Sequence, residues 1–207
     1  TRYKFDGHIL ILGGSRQLIP VLKSLPPDDV RDIVILTMGP VEEIRASIAG
    51  EVSGNDKFMS RINVFKGLRC EESAIDDVHA SKASCIYIIG EDNEPEHDAV
   101  SIKAWRLLKS RFPFSNTPGS RKKCYLLLRT AASIHIFQYR GVDEDTSLET
   151  IVINHYEAIA QKVLITSAGD VYPCLDRSGI TAGDRTCVHF VIAGMTKMSY
   201  AMAATAA

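Results

Sequence analysis

Apolar residues fall along this chain in short unbroken runs, separated by stretches in which only every third or fourth position is apolar. The runs HILIL (8–12), DIVILT (32–37), RINVFK (61–66), SCIYII (84–89) and KCYLLLR (123–129) have strand length and are bounded by glycine, proline or charge. Such runs predict strands buried on both faces of a parallel sheet. Between the first two, Ile19, Leu22 and Leu25 share one helical face; Pro20 lets the helix start no earlier than about 15–17, and Pro26-Pro27 stops it. Val41, Ile44 and Ile48 mark a helix over 41–49, followed by a loop over 50–56. A helix over 71–80 opens on Glu71 and Glu72, where the helix dipole favours acidic residues, and another over 99–109 carries Ile102, Trp105 and Leu108. Residues 112–120 read as a loop. Strands alternating with helices predict βαβ units: an α/β, Rossmann-like doubly wound parallel sheet with right-handed crossovers.

Beyond residue 130 the pattern loosens. Ile134–Tyr139 fits helix or strand, and Thr150–Leu164 predicts a helix. Residues 170–184 are linker-like, CVHFVIA (187–193) predicts a buried strand, and Met198–Ala207 a helix. LGGSRQL at 12–18 and AGMTKMS at 193–199 share a glycine, a small hydroxyl and a basic residue in the same order, each between a strand and a helix. The expected organisation is therefore a Rossmann-like domain over 1–130, a helical extension or crossover over 131–168, a linker over 169–186, and the first strand and helix of a second similar lobe over 187–207. Both ends look cut, so the chain reads as a fragment of a longer protein.

Composition narrows the function. With 45% hydrophobic residues the chain can bury a full core, and with 24 Lys plus Arg against 25 Asp plus Glu it carries no basic excess, so no nucleic-acid partner is expected. The cysteines (70, 85, 124, 174, 187) are scattered without C-x-x-C spacing, as for reduced thiols in a cytosolic compartment. No apolar run reaches the roughly 18 residues of a membrane span.

The candidate chemistry lies where the first strand meets Gly13-Gly14. A dinucleotide loop needs glycine for the turn, for close approach of the pyrophosphate, and for helix–strand packing. Gly13 can serve the first purpose, but the second position is Ser15 and the third Leu18. The second strand ends at Thr37 where a ribose-binding carboxylate belongs. Gly13, Gly14, Ser15, Arg16 and Thr37 are thus the candidate nucleotide-binding residues, with NAD disfavoured by the loop. A different anion at Ser15 and Arg16 is one alternative, and Ser15 as a plain helix cap is the other. Asp92, Glu94, Glu96 and Asp98, in the acidic stretch after the fourth strand, are candidate ligands for Ca²⁺ or Mg²⁺; the competing reading is a solvated loop. No histidine has a nucleophile or acid at catalytic spacing, and no catalytic residue is assigned.

The blocks HILILGG, DIVILT and INVFKGLRCEESAIDDVHASKASCIYIIGEDNEPEHDAVSIKAW resemble the RCK/TrkA-N family, the regulator of potassium conductance domains. Gly67, Ser73, Ala74, Ile75, Ala80, Ala83 and Asp92 fall at the family's positions. YPCLDRSGI with CVHFVIAGMTKM is similar to the linker and first strand of a second such domain. The blocks are also similar to bacterial potassium-channel-related proteins and plant nuclear-envelope cation channels. The resemblance implies a non-enzymatic cytoplasmic regulatory domain of a potassium or cation channel or transporter. It would sit at the inner face of a membrane, assemble as a homo-oligomeric dimer or ring, and couple to a pore domain outside these residues. Trp105 and the helix over 150–164 are candidate self-association surfaces. The alternatives are an NAD(P)-binding oxidoreductase-type domain with an atypical glycine loop, and a ligand-free interaction scaffold.

Overall fold

The computed structural model describes residues 5–26, 28–52, 56–113, 121–139, 146–164, 183, 185 and 190–206. In chain order they form β1 (Ile9–Leu12), α1 (Leu18–Ser24), β2 (Ile33–Thr37), α2 (Val41–Glu51), α3 (Asp56–Met59), β3 (Ile62–Lys66), α4 (Glu72–Asp77), a 3-10 turn (Ala80–Lys82), β4 (Cys85–Ile88), α5 (His97–Arg111), β5 (Lys122–Leu128), α6 (Ala131–Tyr139), β6 (Leu148–Asn154), α7 (His155–Leu164) and α8 (Lys197–Ala206). The six strands make one all-parallel sheet in the order β3-β2-β1-β4-β5-β6, with the order reversing between β1 and β4. This is the Rossmann-like arrangement, whose ligands bind at the carboxyl edge beside that reversal.

Alternation along β1 divides the core. Ile9 and Ile11 pack with Leu18 and Leu22 of α1, Ile48 of α2 and Phe58 of α3 on one face. Leu10 and Leu12 pack with Ile75 of α4, Ala104, Trp105 and Leu108 of α5, and Ile134 and Phe137 of α6 on the other. At β1 and β2, buried along their whole length, helices cover both faces, which requires continuous apolar strands.

Three expectations change. The helix expected over 150–164 begins only at His155, because Thr150-Ile-Val-Ile is β-branched and pairs with β5 as the sixth strand. Asn154 ends that strand and starts α7: its Oδ1 accepts from Tyr156 N (3.0 Å), and its Nδ2 donates to Glu157 Oε1 (2.9 Å). The sheet therefore continues past residue 130. Trp105 is no association surface, since it is 6% exposed, packs edge-on against Phe137 and donates its indole N–H to Thr150 Oγ1 at 2.9 Å. Phe190–Ala193 carry no strand, and the remainder of that expected strand, 187–189, lies outside the described residues, as do most of the linker and Cys174. The helix after Gly194 does form, as α8, and packs on α7. Ile134–Tyr139 is helical; Thr130 Oγ1 accepts from Ser133 N (3.2 Å) at its start. Among the described residues no helix is long and apolar enough to cross a membrane.

Candidate functional site

The carboxyl ends of β1, β2 and β4 meet at two glycines. Gly13 has φ +119°, a conformation L side chains rarely adopt, and a Cβ there would fall on the Gly90 carbonyl. Gly90 (φ +68°) in turn abuts His97, so the turns after β1 and β4 press backbone to backbone. The sequence permits this contact only because both positions are glycine.

That contact carries the loop after β4 onto the loop after β1. Glu91 reaches across both: its Oε2 accepts from Gly14 N (3.0 Å), and its Oε1 accepts from Thr37 Oγ1 (2.9 Å) and Met38 N (2.9 Å). Asp92 Oδ2 accepts from Arg16 N (2.9 Å), and its carboxylate lies 3.5 Å from Arg16 Nε. The backbone donors that a dinucleotide fold offers to a pyrophosphate are here taken by the chain's own carboxylates.

The five residues singled out in the sequence do converge, but, the exposed Arg16 guanidinium apart, the donors they contribute are spent within the chain. Ser15 is buried; its N–H donates to Gly90 O (3.0 Å) and its hydroxyl to Ile89 O (3.2 Å), so its side chain ties β1 to β4 and does not cap α1. Thr37, also buried, spends its hydroxyl on Glu91. Leu18, where the third glycine would be, is a core residue of α1. A dinucleotide does not fit this donor set: its phosphates would meet two carboxylates already holding the amides they need.

The acidic stretch is likewise dispersed. Asp92 lies between Arg16 and Arg129, and Glu94 forks onto the buried Arg69 guanidinium. Glu96 is exposed at the start of α5. Asp98 accepts from Arg129 N (2.8 Å), Thr130 N (3.0 Å) and Thr130 Oγ1 (2.8 Å). Burial alone would raise the Asp98 carboxyl, but hydrogen bonds from His97, the Arg129 amide, Thr130 and Ser133 outweigh it and hold it far below the usual carboxylate range. The structure does not bring Asp92, Glu94, Glu96 and Asp98 to one point, and no cluster suited to a metal ion occurs among the described residues.

Two site residues carried no local signal. Arg129, at the end of β5, donates to the carbonyls of Glu91 (3.0 Å) and Asp92 (3.3 Å) and so fixes the acidic loop's backbone. Arg69 donates to Glu94, to Ser101 Oγ (3.2 Å) and to His97 O (3.5 Å), anchoring the same loop from β3's side. Only their place just beyond strand ends could have marked them.

No protein-family model matches the chain, and no curated protein matches it. Among solved structures it is similar to the human SLO3 gating ring at 12% identity and a TM-score of 0.45, over 80% of this chain and 30% of that one.

Proposed function

We propose that this chain is a non-enzymatic regulatory domain of a potassium or cation channel or transporter, acting as a homo-oligomer beneath a membrane pore. The sequence blocks that resemble the RCK/TrkA-N family support this reading. The observation that carries it is Glu91: with the cofactor cradle satisfied from within, the fold is left as a mechanical element rather than a site for hydride chemistry. Light scattering tests it, with a mass above that of the 22.8 kDa monomer expected. A strictly monomeric protein at high concentration, or turnover with NAD(P)H, overturns it.

The closed cradle equally favours an interaction scaffold that binds no ligand. Calorimetry with NAD, ATP, AMP and Ca²⁺ separates the two, because a scaffold gives no heat with any of them.

A further inference from the structure

The face of the sheet that carries α1 and α2 is covered unevenly. Between α1, which lies over β1, and α7, which follows β6, the side chains of β4 and β5 form the floor of a groove. We propose that this groove binds a small aromatic anion: a planar ring system carrying one carboxylate or phosphate group.

One part of the groove is a cavity of about 440 Å³, within the range of small-ligand pockets. Strand alternation places Tyr87 and Tyr125 on its floor in direct register, their rings stacked at 4.8 Å and 13°. Leu127 and Ile153 continue the apolar floor, while Val21 and Ala158 line it from the two helices. Gln17 of the α1 entry and His155 of α7 meet across the groove, Nε2 to Nε2 at 3.2 Å. An aromatic, mostly apolar chamber with a few convergent polar groups suits a planar ring.

The same Gln17, Leu127 and His155 also line a second cavity of about 270 Å³ toward the strand ends, so the two adjoin, with the Gln17–His155 pair at their shared boundary. Its charged lining is Arg16, Arg129 and Asp92, two guanidiniums against one carboxylate. The Arg16 side chain is 82% exposed and pairs with Asp92 only at 3.5 Å, leaving its fork open to a ligand. Burial, and secondarily Arg129, lower the His155 pKa, so the ring stays neutral and offers a hydrogen bond rather than a charge. An apolar aromatic chamber leading to a mouth of net positive charge calls for a ligand with a ring at one end and an anion at the other.

This site shares Arg16 and Asp92 with the loop but leaves the bonds of Glu91 in place. It would give the regulatory domain proposed above a ligand. Failure to bind leaves the light-scattering result untouched, so the two proposals fail separately.

The test is calorimetry on the full chain with naphthoate, AMP and the neutral analogue naphthylmethanol. Saturable binding of naphthoate or AMP is expected with Kd below about 1 mM, at least about tenfold tighter than the neutral analogue. Which anion binds assigns the source as an aryl carboxylate or a nucleotide. Ala158→Phe, at an exposed helix position facing the chamber, should abolish binding, and Arg16→Gln should weaken it about three- to tenfold. Urea unfolding confirms that each variant is folded, and Arg16→Gln, at a well-exposed position, serves if Ala158→Phe is not. No saturation by either anion, equal affinity for the neutral analogue, or wild-type binding by either folded variant overturns the proposal.

Discussion

The Thr37 hydroxyl donates to Glu91 Oε1 at 2.9 Å, joining the end of β2 to the loop after β4 across 54 positions of chain. Met38 N and Gly14 N bond the same carboxylate, so Glu91→Ala strands three donors at once. The part-buried Gly14 N–H and Thr37 hydroxyl each cost about 1–3 kcal/mol if left unmade, whereas water can replace the bond to the exposed Met38 N–H. Glu91→Ala should lower stability by about 2–4 kcal/mol in urea unfolding, and Thr37→Val by less. Equal stability of wild type and Glu91→Ala would show that the carboxylate does not bind these strand ends together.

Acid should unfold the protein in two separable windows. His8 is buried with neither ring nitrogen hydrogen-bonded; burial, aided by His79, lowers its pKa to about 4 from 6.5. A base whose folded pKa is depressed contributes fully above the unfolded value and loses that contribution as pH falls from 6.5 towards 4, for about 3 kcal/mol in all. Asp98, an acid with a depressed folded pKa, is lost only below its ordinary 3.8. His8→Leu should flatten the stability profile between pH 6.5 and 4 and leave the steeper fall below 3.8. An unchanged profile in His8→Leu would exclude His8 as the source of the first window.

Glycine is needed unequally. Gly13→Ala meets both a positive φ and the Gly90 backbone, so the turns after β1 and β4 must separate, and little soluble protein is expected. Gly7 also has a positive φ (+69°) but open space around its Cβ position. Gly7→Ala should cost only about 1 kcal/mol. Comparable soluble yields and melting points for the two variants would refute the close-approach argument.

Removing the α7 cap with Asn154→Ala should cost about 1 kcal/mol by urea unfolding, with Asn154→Asp retaining most of the stability. Since α7 forms one wall of the groove, the same variant should also raise amide exchange across 155–158. Protection unchanged there would mean that packing alone sets the helix start.

The central strands are legible because β1 and β2 are buried along their whole length, which leaves unbroken apolar runs; HILIL and DIVILT match them to within a residue, whereas the similar run CVHFVIA carries no strand at Phe190–Ala193. TIVIN reads as helix in the sequence because its neighbour α7 is amphipathic and the two apolar patterns merge. The Asn154-x-x-Glu157 box was the local signal that separates them. The loop residues Gly13 to Arg16 and Thr37 were legible as a meeting point because the fold dictates where strand ends go. What fills that meeting point was not, since Glu91 and Gly14 are separated by 77 positions and no spacing rule links them. Without that link the acidic stretch looked like one cluster, whereas its members serve Arg16, Arg69, Arg129 and Thr130 separately.

Glu91 is tethered to the loop it fills. A tethered group competes intramolecularly, at an effective concentration of millimolar or far higher when the geometry is fixed, and the carbonyls of Glu91 and Asp92 clamped by Arg129 fix it here. A free phosphate would have to outbid a rival that never diffuses away. Any metabolite that acts on this domain through the loop must therefore gain its affinity from contacts elsewhere, and any change that slackens Arg129's hold would alter the contest without touching the glycines.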